Sequence, residues 1–131
     1  MSRGGEKPIF ILFCVLLLTV SSAACLHVRK SHPVTAFISD DGSKKITVYQ
    51  LGDPDFPYGN TQCRLILSVD EQTCGSFDIA VRNDGVNVCA DNFRVSWEGT
   101  YASVTVSGDE QEDEIIRFGY DGRVQTEARV P

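Results

Sequence analysis

Residues 62–98 read QCRLILSVDEQTCGSFDIAVRNDGVNVCADNFRVSWE, and three runs within them share one period. In the first, Cys63, Leu65, Leu67 and Val69 fall on one side, against Arg64 and Ser68 on the other, with Ile66 the one apolar exception. In the second, Phe77, Ile79 and Val81 alternate with Asp78, Ala80 and Arg82. In the third, Phe93, Val95 and Trp97 alternate with Asn92, Arg94, Ser96 and Glu98. Side chains two residues apart share a face of an extended chain, so a period of two predicts half-buried strands. One apolar and one polar face per strand predicts antiparallel sheets, with one side on a core and the other in water. That is a sandwich, an architecture that serves binding more often than catalysis.

The same alternation extends outward on both sides. Val34, Ala36 and Ile38 lead into Asp40-Asp41-Gly42, a turn signal, and Ile46 and Val48 start the strand after it. Residues 52–60 hold two prolines and two glycines and cannot continue a ladder, which predicts a long loop. Turns are predicted at Asp70-Glu71-Gln72, at Asn83-Asp84-Gly85 and at Asp121-Gly122. Between them Ala102, Val104 and Val106, then Ile116, Phe118 and Tyr120, give two further strands, and Val124, Ala128 and Val130 close the chain. The acidic run from Gly108 to Glu114 reads as a solvated loop. About eight short strands with no helical period predict an all-β chain.

Arg3 and Lys7 precede an apolar run from Ile9 to Val20, and Ser21, Ser22, Ala23 and Ala24 follow it. This is the layout of a secretory signal peptide over residues 1–24, and the apolar run is shorter than the roughly 20 residues of a membrane span. Residues 25–131 are then expected to form one secreted domain with no stable membrane insertion. Without Arg3, Lys7 and Glu6 the remaining chain carries 10 basic and 17 acidic residues, a net charge of −7. An acidic chain with no basic stripe is not a nucleic-acid binder. Cys25, Cys63, Cys74 and Cys89 remain in a compartment that favours disulfides, and four cysteines allow three pairings. No Cys-x-x-Cys zinc spacing occurs, and the two histidines, His27 and His32, stand apart from the cysteine series. No nucleophile elbow or phosphate-cradling loop is present, so the chain is read as non-enzymatic.

Four segments together resemble the CUB domain family. Gly52 to Cys63 is similar to the family's Ser-Pro-Asn-Tyr-Pro segment leading to a cysteine, and Cys63 to Leu67 to its Cys-x-Trp-x-Ile strand. Cys89 to Val95 resembles Cys-x-x-Asp-x-x-x-Val with one residue fewer, and Ile116 to Val124 resembles Phe-x-Ser-Asp-Gly-Ser-Val. The resemblance spans 25–131, and the additional Cys74 is similar to the arthropod variants of the family. It implies a jelly-roll sandwich of two antiparallel sheets that recognises extracellular protein or glycan partners. The alternative, from a different class, is a small secreted enzyme or enzyme inhibitor on another β-sandwich.

Site expectations follow. Phe56 and Tyr58 lie on a loop too proline-rich to pair, where they either anchor a partner or fold back as a lid. Cys63 and Cys74 flank a hairpin-sized segment and are expected to pair. Cys89 lacks the partner it has in the family, which leaves it to Cys25 where cleavage retains that residue, or else free or joined to another chain. In some family members a glutamate and two aspartates hold calcium. Asp91 and Asp121 match the aspartates, and Asp84 falls near the glutamate position with a shorter reach.

Overall fold

The structure, a computed structural model, describes residues 30–55 and 57–128. Its strands are β1 (Ser31–Ile38), β2 (Lys44–Leu51), β3 (Thr61–Val69), β4 (Gln72–Val81), β5 (Phe93–Trp97), β6 (Tyr101–Gly108), β7 (Gln111–Gly119) and β8 (Val124–Ala128). A single 3₁₀ turn at Ala90–Asn92 precedes β5. Two four-stranded antiparallel sheets, β1-β2-β3-β4 and β5-β6-β7-β8, form an all-β sandwich.

The alternating residues build the core. Ile46 and Val48 of β2, Leu65 and Leu67 of β3, and Ile79 and Val81 of β4 are buried in the first sheet. Phe93 of β5, Val104 and Val106 of β6, and Ile116 and Phe118 of β7 are buried in the second. Phe77, Val95 and Trp97 pack on this core while partly exposed.

The hairpins show why consecutive strands pair. In the β1–β2 turn the Asp41 carboxylate accepts bonds from the Ser39 hydroxyl (2.6 Å) and from the Ser43 N–H (3.0 Å) and hydroxyl (2.7 Å). These bonds, the Ser39 hydroxyl first, hold the carboxyl well below the usual carboxylate range. Asp70 and Glu71 join β3 to β4 with φ of 48° and 67°, the left-handed pair that a two-residue hairpin turn demands.

Three expectations are corrected by this architecture. A jelly roll is wired from two Greek keys, in which the fourth strand returns beside the first. Here every strand pairs with its neighbour in sequence, so each sheet is a plain meander and the chain crosses between sheets once, through residues 82–92. The acidic segment 108–114 is not a loop. Only Asp109 and Glu110 turn, and β7 starts at Gln111, whose side-chain oxygen accepts the Arg82 N–H at 2.6 Å.

The third correction is the Cys63 to Cys74 cross-link, which the register forbids. Cys63 faces Ile79, whereas Cys74 lies at a bulge where Leu67 faces Gly75 and Ser68 faces Thr73. Four to five residues along a strand separate their levels by roughly 15 Å, about twice the Cα reach of a disulfide. Both thiols are free, and that of Cys74 sits 3.5 Å from the Tyr120 carbonyl.

Candidate interaction surface

Two loops meet at one end of the sandwich. The first, residues 52–60, leaves β2 through Gly52, whose N–H donates to the Lys30 carbonyl at 2.7 Å, and tightens where the Gly59 N–H donates to the Asp55 carbonyl at 2.7 Å. The second, residues 83–92, carries the crossing between sheets. Gly85 brings its backbone against the first loop with a φ of 70°, and a Cβ there would lie 2.9 Å from the Pro57 carbonyl oxygen. Thr61, fully buried, donates its hydroxyl to the Val86 carbonyl at 3.1 Å.

A chain of amide side chains holds the second loop in place. Gln50 donates to the Gly52 carbonyl (2.9 Å) and to Asn87 Oδ1 (2.8 Å), and accepts from the Val88 N–H (3.2 Å). Asn83 donates to the Asn87 carbonyl at 3.3 Å. Asn92 donates to Asn83 Oδ1 (3.2 Å) and to the Ser107 carbonyl (2.9 Å), and accepts from the Cys89 N–H (2.9 Å). Gln50, Asn83 and Asn92 are all buried, so these bonds satisfy groups that would otherwise be left dry and unpaired. The relay reaches from β2 in one sheet to β6 in the other, and fixes what the loop presents.

What it presents is apolar. Three large hydrophobic side chains stand exposed among the described residues, Ile38, Tyr58 and Val86, and the two touching loops carry two of them. Tyr58 is 73 % exposed and Val86 58 %. Of the two expected anchors, Tyr58 therefore points outward and does not fold back as a lid; Phe56 lies outside the described residues. The sequence reading missed Val86, although its place between Asn83-Asp84-Gly85 and Asn87 marks it as an apolar residue on a turn.

The expected calcium ligands do not come together. Asp91 precedes Phe93, which faces Val106 at one end of β6, whereas Asp121 follows Gly119, which faces Tyr101 at the other end. Five residues of strand put roughly 17 Å between those levels, far beyond the 2.3 to 2.6 Å bonds of a shared ion. Asp121 instead accepts the Arg123 N–H at 3.1 Å and pairs with its guanidinium at 3.5 Å. Among the described residues no group of three or more His, Cys, Asp or Glu side chains could hold a metal ion. The trio Asp84, Asp91 and Asp121 does not fit calcium.

Asp121 belongs to a concavity on the outer face of β6 to β8 at the opposite end, with Tyr101, Arg117, Tyr120 and Arg123. Its cations are engaged: Arg117 bonds Glu127 at 2.7 Å and lies over the Tyr101 ring at 5.3 Å.

The remaining thiols differ sharply. Cys63 is fully buried and desolvation pushes its thiol up to about 12, whereas Cys89 is exposed in a shallow cleft with His32, Val34 and Val88. Cys25, the expected partner of Cys89, lies outside the described residues. In the reduced native protein, iodoacetamide should label Cys89 first and Cys63 only after denaturation, because the thiolate is the reactive form. Mass mapping of the labelled peptides checks this order, and early labelling of Cys63 would contradict its burial.

Compared with protein-family models, with curated proteins and with solved structures, the chain matches none.

Proposed function

We propose that this chain is a secreted, non-enzymatic binding module that recognises an extracellular protein or glycan partner with the loop end of its sandwich. One observation carries the reading: Tyr58 and Val86 stand exposed on two loops locked against each other by Gly85 and the amide relay. Tyrosine on a rigid loop supplies a large contact area at little entropic cost, which is why it anchors interfaces. Of the three large hydrophobic side chains exposed among the described residues, only Ile38 lies on a strand, and the other two stand together at the loop end. The leader-like layout of residues 1–24 supports an extracellular setting.

The test is capture from the native fluid with the wild-type chain and with a Tyr58→Ala, Val86→Ser double variant. Both side chains are exposed, so the variant should melt within about 1 kcal/mol of wild type. A partner held by the wild type should bind the variant roughly 30-fold more weakly, the scale of an interface hot spot. If every captured partner binds both proteins equally, the loop end is not the binding surface.

A further inference from the structure

The charge around Tyr58 and Val86 specifies the chemistry of what covers them. Loops 52–60 and 83–92 contain Asp53, Asp55, Asp84 and Asp91 and no lysine or arginine. All four aspartates are exposed, and among the described residues none takes part in an ion pair. The ion pairs seen among the described residues lie elsewhere: Asp41 has Lys44, Asp78 has Arg64, Asp113 has Arg94, Glu127 has Arg117, and Asp121 has Arg123. Lys30 and Arg82 flank the two loops, and neither is paired with any of the four. The exposed apolar pair thus stands on loops whose own charges are all negative and, among the described residues, unpaired.

Those charges select an occupant. A partner seated on Tyr58 and Val86 rests on loops whose only charged side chains are these carboxylates, and charges on its rim act on them over a Debye length of roughly 8 Å at physiological ionic strength. An acidic rim is repelled, and a neutral one strips water from carboxylates without replacing it by countercharge. A cationic rim gains on both counts and is also steered in from a distance. Resting on the reading of the loop end as the binding surface, we infer that the partner is a protein segment in which lysine or arginine side chains flank an apolar one. A neutral glycan offers hydroxyls to the carboxylates but no charge, and the carboxylates give it no such advantage.

Three synthetic peptides test this. One has a Trp-Leu pair between lysines, the second has glutamates in place of the lysines, and the third keeps the lysines but has serines in place of Trp-Leu. Fluorescence anisotropy should show binding of the first, at least tenfold weaker binding of the other two, and weakening of the first as salt rises. A variant with all four aspartates changed to asparagine should bind the first peptide roughly tenfold more weakly at unchanged Tm, a size consistent with four exposed charge contacts. Equal binding of the lysine and glutamate peptides, or full affinity in the asparagine variant, overturns the inference. If Tyr58→Ala alone abolishes binding while the asparagine variant keeps it, the docking surface survives and its cationic preference falls. If neither change matters, both fall. Tyr58-dependent binding of chitohexaose, with none of the peptides bound, would make the occupant a glycan and the inference wrong.

Discussion

Phe118→Ala should bring the domain to the edge of unfolding, with a loss of about 3 to 5 kcal/mol. Phe118 is fully buried on β7, between Ala102 of β6 and Val124 of β8. Its ring also crosses the layer: Cδ1 lies 3.7 Å from where a Cβ on Gly75 of β4 would stand. Truncation therefore removes apolar burial from both sheets at once. The cavity left behind cannot close easily, because β7 is hydrogen-bonded on both sides and its backbone cannot sink toward β4. Domains of this size have a total stability of about 5 to 15 kcal/mol, so the loss is a large share of it. Urea unfolding should show a midpoint well below that of the wild type, while Phe118→Leu, which keeps most of the volume, should lose much less. A Phe118→Ala midpoint close to wild type would mean that the two sheets do not meet at this ring.

The strands were legible where alternation was spelled in apolar residues, as in Phe77, Ile79 and Val81 or Ala102, Val104 and Val106. They were not where it was spelled in polar ones: Gln111 to Glu114 lies in β7, half-buried at Gln111 and Asp113 and exposed at Glu112 and Glu114, yet composition alone reads it as loop. Wiring was hidden as well, because alternation says that a strand has a core face but not which strand lies beside it. Family likeness supplied a jelly roll, and the pairing of each strand with its chain neighbour replaced it. The cysteine pairing failed for a related reason. A disulfide depends on register, and the turn at Asp70-Glu71 sets Cys63 against Ile79 far from the turn while Cys74 lies close to it, with the bulge at Leu67 and Ser68 shifting this by only one residue. Likewise Asp91 and Asp121 each suit a carboxylate site, but only the positions of Phe93 and Gly119 along β6 show that they lie at opposite ends. Of the candidate site, Tyr58 was visible as an aromatic on a loop that cannot pair. Val86 and the amides beneath it were not, since polar residues far apart in sequence, Gln50 and Asn87 among them, meet only in the fold.

Asn92 is where that hidden relay is most exposed to test. Its side chain, 9 % exposed, satisfies the Cys89 N–H, the Ser107 carbonyl and Asn83 Oδ1 together. Asn92→Ala leaves these groups without a partner in a place water reaches poorly, and should cost about 2 to 3 kcal/mol. Asn92→Asp separates hydrogen bonding from mere packing. The carboxylate can still accept from Cys89, but it faces the Ser107 and Asn83 oxygens where the amide donated, so burial and repulsion raise its folded pKa above the roughly 3.9 of an unfolded aspartate. A raised folded pKa means that the folded state holds its proton more tightly. The stability of this variant is therefore fully present below about pH 3.9 and falls as pH rises toward the folded pKa. Relative to wild type, Asn92→Asp should thus be less stable at pH 7 than at pH 4, while the deficit of Asn92→Ala stays flat between them. The same two variants should loosen residues 83–92 and weaken any partner that sits on Val86, although neither touches it. Denaturant midpoints at the two pH values check the first statement, and hydrogen exchange at the Val86 and Val88 amides the second. Unchanged protection there in both variants would show that the loop is held by Gly85 and Pro57 alone and owes nothing to the relay.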